Sequence, residues 1–470
     1  MARLNFTDNS FLLAESRETP MHTGGVSLYR YPRGVDQHEF LSELRNILLG
    51  GKELRPMFNQ RLSNDLLSKA NLFHCWETDR ALDIEYHIRH SALPQPGRYR
   101  ELFALISRLH GTLLDRNRPL WELHLIEGLA GNQFATYLKT HHCMLDGVAS
   151  MHLANSMLSK TSRGRVNYSP LSLEAWEHYK QQTQVPNRGT AISQQDVKSL
   201  AGRLADQLGS GTQLVRALLQ YANVWIGGNT SLNAPWHAVP RSIISSNVSG
   251  SRRFVAQSWP FERVRAVGRA LGGTLNDAVL AMCAGGLHHY LAQSAALPSR
   301  PLKAMVPISL RASNDLDSSN AVGFIVTNLA THLDDPEKRF RTIKESMQAG
   351  KELYTGLSPG EAELFTQITV SPILISKLLG LEKTLPAFNL VISNVPGPRK
   401  KMYWNGALLK GIYPASIVGN GQSLNITLVS YADQLDFGII ACRRSLPSIQ
   451  RLIDCLEDSL CELEELASGA

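Results

Sequence analysis

The sequence predicts a mixed α/β fold built as two successive halves, and three observations carry that prediction. The 470 residues exceed what one ordinary hydrophobic core holds, so two domains are expected. Runs with two-residue alternation and runs with helical spacing intermix both before about Ser159 and after about Arg252. Between those points the chain turns polar and rich in Pro, Gly and Ser (TSRGRVNYSP, QQTQVPNRGTAISQQ, SSNVSGSRR), the composition of a crossing between domains. We place the first half at residues 1–185, a helical insert and crossing at 186–250, and the second half at 251–470.

The first half opens with a short helix in DNSFLLAES from Asp8, after which Pro20 and Gly24-Gly25 punctuate the chain before an alternating strand. From His38 to Leu49, Phe40, Leu41, Leu44, Ile47 and Leu48 recur at helical spacing. Alternation at Ile84, Tyr86 and Ile88 predicts a strand, closed by Pro94 and Pro96-Gly97. Leu102, Leu105, Ile106, Leu109 and Leu113 then mark one face of a helix. WELHLIEGL and QFATYLKT flank Ala130-Gly131-Asn132, which reads as a hairpin. Its second arm runs into His141-His142, then Asp146-Gly147, then the helix-like VASMHLANSML.

In the insert, Leu200, Leu204, Leu208, Leu214, Val215, Leu218 and Leu219 allow amphipathic helices that face lipid or, more simply, pack on a domain. The second half starts with the strand RRFVAQSWPF and two helices broken at Gly272-Gly273, the second opening near Thr274 or Asn276. Strands follow in LKAMVPISLR and FIVTNLATHL, then helices over 337–353 and about 359–380, then strand-rich sequence and a final helix. Each half therefore mixes strands with helices, a weak repeat of architecture without a short sequence repeat.

Composition narrows the function. Apolar residues at 43% and charged residues at 19% are globular proportions and exclude wholesale disorder. No run of eighteen apolar residues occurs, and MARLNFTDNSFLLAESRE carries acids and no long apolar core, so neither a membrane span nor export is expected. Six cysteines without a C-x-x-C pair fit a reducing cytoplasm. A net charge of +7 suits an anionic partner, and without a nucleic-acid motif an anionic lipid or a phosphorylated thioester carrier is favoured over nucleic acid.

Chemistry concentrates at the end of the hairpin. Histidine accepts and returns a proton near neutral pH, as a general base must. Neighbours on a strand face opposite ways, so His141 and His142 are expected to do different work. Asp146 would hold the turn by bonding amides or an arginine, and Gly147 would permit a conformation or approach that a β-carbon blocks. The plain alternative is a strand ending in two partly buried histidines and an ordinary turn. A metal site would need ligands that no spacing announces, although His152 is near. Cys143 lacks an identifiable activating partner and makes a poor nucleophile. Asp115-Arg116-Asn117-Arg118 before Pro119-Leu120-Trp121 reads either as a solvated turn or as the edge of a pocket.

HHCMLDG matches the HHxxxDG motif of the coenzyme A-dependent acyltransferase superfamily, which includes chloramphenicol acetyltransferase, carnitine acyltransferases and peptide-synthetase condensation domains. With PMHTGG, RPLWE at 118–122, TLNDAVLA at 274–281, VPISLR at 306–311 and ISNVPGP at 392–398, the chain resembles the bifunctional bacterial wax ester synthase/diacylglycerol acyltransferase family from about residue 4 to about 465. The resemblance implies two pseudo-symmetric chloramphenicol-acetyltransferase-like halves, mixed sheets, and an active site in the channel between them. It implies His142 as general base, His141 as its support, Asp146 as mainly structural, and Asn276 as a partner of the base or of the oxyanion. Pro119, Leu120, Trp121, Gly147, Asp277, Ser393 and Asn394 are the further substrate-site candidates, with the turn residues of SNVPGP forming a crossover or channel wall. His288-His289 lacks a following Asp-Gly and is expected to serve packing or the surface.

The implied reaction moves an acyl group from acyl-CoA, a substrate rather than a cofactor, to long-chain alcohols or diacylglycerol, with no covalent acyl-enzyme and no metal. Substrates so apolar imply a cytoplasmic protein held peripherally at the inner membrane or a lipid inclusion. Three rivals stay open: a condensation-type acyltransferase using a carrier-protein thioester; a membrane glycerolipid acyltransferase, since His141 to Asp146 also fits H-x-x-x-x-D; and a lipid-inclusion scaffold with a vestigial site.

Overall fold

Strands come in chain order as β1 (Ala2–Arg3), β2 (His22–Arg30), β3 (Gln60–Leu62), β4 (Cys75–Thr78), β5 (Ile88–Ala92), β6 (Trp121–Leu129), β7 (Gln133–His141), β8 (Arg252–Pro260), β9 (Lys303–Ser309) and β10 (Val322–Asn328). They continue as β11 (Leu390–Pro396), β12 (Tyr403–Trp404), β13 (Ala407–Ala415), β14 (Leu424–Tyr431) and β15 (Gln434–Cys442). The structure, a computed structural model, describes residues 2–4, 6–51, 53–63, 74–145, 147–183, 212–227, 231–309 and 322–469.

Two six-stranded mixed sheets form two lobes, in the orders β12-β13-β2-β7-β6-β5 and β10-β9-β11-β14-β15-β8. Each carries an antiparallel hairpin second and third from one edge, β6/β7 in the first and β15/β14 in the second. This is the architectural repeat expected from the sequence. The first sheet draws β12 and β13 from beyond residue 251, with Tyr413 opposite Val26. The halves are therefore joined through a shared sheet as well as by contact.

Hairpin β6/β7 forms as its turn residues predict, with Gly131 at φ 77° and Asn132 at φ 58°, and the register sets Trp121 against Thr140. On its other side β7 pairs antiparallel with β2, placing His22 opposite His141. The alternation read at Ile84, Tyr86 and Ile88 did not give a strand from its start. Asp83 accepts the amides of Glu85 and Tyr86, turning Ile84–His87 into one helical turn, and β5 begins only at Ile88.

In the second lobe the break at Gly272-Gly273 separates helices Phe261–Ala270 and Leu275–Gln293. Thr274 caps the latter: its Oγ1 accepts the Asp277 amide, while Asp277 Oδ2 accepts the Thr274 N–H at 2.8 Å. Leu275–Gln293 is apolar almost all round because it lies inside the core, where Gly286 lets Leu456 of helix Arg451–Gly469 approach to 2.8 Å of where a β-carbon would be. No single described helix is long and apolar enough to cross a membrane; the two helices around Gly272 pass by composition together but meet at a 99° bend.

Of the insert, residues 186–211, with Leu200, Leu204 and Leu208, lie outside the described residues. Helix Thr212–Asn223 packs Leu214 and Ala217 against Leu364 and Phe365 of helix Pro359–Leu378, so this part of the insert is docked on a lobe. ISNVPGP is strand rather than turn through Pro396, because β11 lies inside the second sheet, parallel to both β14 and β9. His288 and His289 sit mid-helix against Thr331 O and Glu462, the packing role expected.

Candidate active site

His141 ends β7 and His142 is the first residue beyond it, so the strand's alternation sends the two rings to opposite sides. His141 is fully buried, whereas His142 is half-buried. The His142 backbone N–H donates to Met21 O at 2.9 Å, and its ring stacks on Phe11 with centroids 4.2 Å apart. Met21, just before β2, and Phe11 of helix Phe6–Ala14 thus fix the ring's position, with Nδ1 buried and the residue as a whole only partly covered.

His141 is held from both ends. Its Nδ1 accepts the Cys143 backbone N–H at 3.2 Å, which leaves the proton on Nε2, and Nε2 faces Glu15 Oε1 at 3.4 Å. Burial pushes the Glu15 carboxyl up, but the His141 contact, the Met21 amide and Arg116 together bring it below its ordinary value. Arg116 donates to Glu15 Oε2 from Nε at 3.2 Å and from a terminal nitrogen at 3.1 Å. Neither Glu15 nor Arg116 was singled out from sequence. Arg116 sits in the segment whose sequence fits either a solvated turn or the edge of a pocket, and only its proximity to Glu15, 101 positions away, reveals the pairing.

His141 shares its face with other buried polar groups. Burial brings the Lys139 ammonium down to about 8, with its Nζ donating to Thr112 O. Burial also pushes His110 down to about 3, keeping it neutral: its Nε2–H donates to Ser416 O, so Nδ1 accepts the Tyr137 hydroxyl. Ser416 follows β13, so this polar floor ties the two halves together beneath the histidine pair.

The other candidates fall into distinct places. Asp146 lies outside the described residues. Gly147 begins helix Gly147–Ser156, has no positive φ, and a β-carbon there would meet Val395 Cγ2 at an ordinary 3.6 Å; the backbone freedom expected of it is not used. That contact brings the histidine turn of the first half against β11 of the second. On β11, Ser393 is half-buried, and Asn394 Oδ1 is a buried acceptor with no hydrogen-bond partner among the described residues. Asn276 is half-buried in the first turn of helix Leu275–Gln293 and makes no side-chain hydrogen bond among the described residues, so none joins it to His142. Asp277 serves the helix cap.

Pro119, Leu120 and Trp121 are buried, and Trp121 donates from Nε1 to Phe58 O at 2.9 Å while stacking on His87. They support β6 from within the core rather than lining open space. A cavity of about 100 Å³ does adjoin the turn, between Met57, Gln60, Trp76, Cys143 and Met144. A wider, open depression of about 480 Å³ along helix Gln37–Leu49 contains none of the candidates. Burial raises the Cys143 thiol well above its ordinary range, leaving it a poor nucleophile. Among the described residues no group of three or more His, Cys, Asp or Glu side chains could hold a metal ion.

Residues 4–279 match the wax ester synthase/diacylglycerol acyltransferase catalytic domain, and residues 318–464 match the corresponding C-terminal domain. The chain belongs to the wax ester synthase/diacylglycerol acyltransferase family. It is 43% identical over 465 residues to a probable diacylglycerol O-acyltransferase of Mycobacterium tuberculosis, covering 97% of this chain and 98% of that one. It is 40% identical over 461 residues to the O-acyltransferase WSD of Acinetobacter baylyi, covering 98% and 96%. Its structure is similar to the wax ester synthase/diacylglycerol acyltransferase from Marinobacter aquaeolei VT8, with a TM-score of 0.77 at 39% identity over 100% of both chains. A condensation domain of the calcium-dependent antibiotic synthetase, at TM-score 0.58 and 16% identity, shares the fold alone. This family member thus has the two-lobed, chloramphenicol-acetyltransferase-like fold that its motifs implied, and it is an acyl-CoA-dependent O-acyltransferase.

Proposed function

We propose that His142 is the general base of this acyltransferase and that its acceptors are long-chain alcohols and diacylglycerol. One observation carries the assignment: of two adjacent histidines, His141 is fully buried with Nδ1 engaged, whereas His142 is only partly buried. In this reading His142 takes the acceptor's hydroxyl proton as that oxygen bonds to the thioester carbon, because an alcohol is far too weak an acid to ionise beforehand. The tetrahedral intermediate then expels CoA, whose sulfur takes the proton from His142, and the enzyme returns unchanged. No acyl-enzyme forms.

Asn276 is assigned to the developing oxyanion, where one donor lowers the barrier by roughly 3 kcal/mol. Ser393, Asn394 and Gly147 are assigned to the wall where the halves meet, Asp146 to the turn, and Pro119, Leu120 and Trp121 to the backing of the pocket. The unpartnered Asn394 acceptor supports that placement, since a buried polar group left unpaired is costly unless a ligand completes it. The acceptor class follows the names of the family and of its mycobacterial relative. Because such acceptors dissolve in lipid, the protein works peripherally at the cytoplasmic face of the inner membrane or at a lipid inclusion.

The test is CoA release from palmitoyl-CoA with and without hexadecanol or dioleoylglycerol. Release should depend on the acceptor, and His142→Ala should lower it by about 10²–10⁴ with an unchanged unfolding midpoint. Equal release with and without acceptor would overturn the reading.

A further inference from the structure

Large apolar side chains exposed singly are normal on any protein, but a contiguous group of them marks a surface that something covers. Ten are exposed among the described residues, and seven come from two segments: Leu219, Trp225 and Ile226 in one, and four leucines and isoleucines between 375 and 385 in the other. Their exposure runs from 48% at Ile375 to 83% at Ile226, so none is core with a visible edge.

The two segments adjoin. Helices Thr212–Asn223 and Pro359–Leu378 bury Leu214 and Ala217 against Leu364 and Phe365. Beyond the first helix, Trp225 packs edge-on to His237 at 5.7 Å. The preceding Trp236 donates its N–H to Ala387 O at 2.9 Å, two residues from exposed Leu385. Ile226 closes the short 3₁₀ turn Val224–Ile226 that follows the helix bearing Leu219, while Ile375 and the cap residue Leu379 are four apart, a spacing that puts them on one side of the helix end.

Charge selects the occupant. Residues 212–245 contain Arg216 and Arg241 and no Asp or Glu. Helix Pro359–Leu378 and the turn after it carry Lys377 and Lys383 against Glu361, Glu363 and Glu382, with the Lys377 ammonium pushed down by burial, so the positive charge of this face comes from the first segment. Arg216 and Arg241 are exposed. A protein partner of ordinary surface would find few anions on the first segment to answer, whereas apolar side chains in a cationic field suit the boundary between phosphate headgroups and acyl chains.

We propose that this face, centred on Leu219, Ile226 and Leu379, seats the enzyme on an anionic phospholipid bilayer, with the apolar side chains below the headgroups and Arg216 and Arg241 on the phosphates. The inference rests on the reading that the acceptors are membrane-dissolved lipids, and it adds the surface by which they are reached.

The experiment sediments the full-length protein with vesicles of phosphatidylcholine, with and without 30% phosphatidylglycerol at about 0.1 M salt, a concentration whose screening length is roughly 10 Å. The parent should sediment with the anionic vesicles, and more weakly as salt rises. Leu219→Asp/Ile226→Asp/Leu379→Asp should lower partitioning more than about tenfold, since each exchange removes apolar area from the contact. Val35→Asp/Leu113→Asp, at apolar positions exposed elsewhere, should leave it unchanged. CoA release from octanoyl-CoA with hexanol should be the same in all three proteins, which reports folding and activity independently of vesicle binding. A parent that stays in the supernatant, a triple variant that sediments like the parent, or a control variant that loses binding equally would each overturn the proposal. So would a parent dimer that the triple variant converts to monomer without altered vesicle binding. Loss of hexanol-dependent release in the parent would count instead against the acyltransferase reading.

Discussion

Nε2 of His141 lies 3.4 Å from Oε1 of Glu15, a carboxylate that Arg116 grips through its other oxygen. The pair fixes which nitrogen of His141 keeps its proton, and so which nitrogen accepts the Cys143 amide and shapes the turn carrying His142. Glu15→Gln should therefore lower kcat by roughly 100-fold, the scale of a small misplacement of a reacting group, with KM for acyl-CoA nearly unchanged. Stopped CoA-release assays decide this; an unchanged kcat would reduce Glu15 to packing.

The same carboxylate predicts an acid-dependent stability. Its folded pKa lies below its ordinary value, so its contribution is present above the ordinary carboxylate range and is lost as pH falls through the folded pKa. Urea unfolding of the parent should weaken on acidification more than that of Glu15→Gln. Parallel curves would sink the claim.

Asn276 and Asp277 are neighbours with different expected readouts. Asp277→Ala removes half of the Thr274 capping box and should cost about 1 kcal/mol of stability by denaturant unfolding. Asn276→Ala, if the residue serves the oxyanion, should cut kcat by about 100-fold or more with little change in unfolding. If Asn276→Ala turns over at the parental rate, the donor must be sought elsewhere.

Asp436 is fully buried between the sheets, accepting the Ser258 hydroxyl and, at 2.8 Å, the Ile412 amide of β13. Burial raises its carboxyl to about 7. The raised value means that stability is full below the unfolded carboxylate pKa and declines as pH rises from there through about 7. Asp436→Asn keeps an acceptor for Ile412 and should flatten that decline. Thermal midpoints between pH 5 and 8 that fall equally in both proteins would exclude Asp436 as the source.

Two glycines where the halves meet give opposite predictions. At Gly147 a β-carbon would stand 3.6 Å from Val395 Cγ2, so Gly147→Ala should be within about 1 kcal/mol of neutral in stability. At Gly438, in β15, a β-carbon would stand 1.8 Å from Pro414 O of β13, so Gly438→Ala must force the two sheets apart. It should lose more than about 3 kcal/mol, or fail to accumulate folded. Equal unfolding midpoints for the two variants would contradict the packing of β13 on β15.

Much of the local structure was legible in the chain because its signals are local. The hairpin turn at Gly131-Asn132, the break at Gly272-Gly273 and the cap at Thr274 are decided by residues within a few positions of one another. Where a local signal competed, the reading slipped: Asp83 capped Ile84–His87 into a helical turn against an alternating pattern that favoured a strand. The HHxxxDG stretch named the chemistry and, with its companion motifs, the family. Strand alternation alone required its two histidines to face opposite ways.

Which histidine is sealed and which is only partly covered was decided by tertiary structure, because burial depends on what packs over a strand end and not on the strand itself. Glu15 and Arg116 lie 101 positions apart, and neither belongs to a motif that spacing could reveal. The burial of Trp121, the meeting of Gly147 with Val395, and the transfer of β13 into the first sheet likewise depend on long-range pairing. Sequence determined the elements and placed two histidines side by side at a strand end; the packing of distant segments decided how each is held and how deeply each is buried.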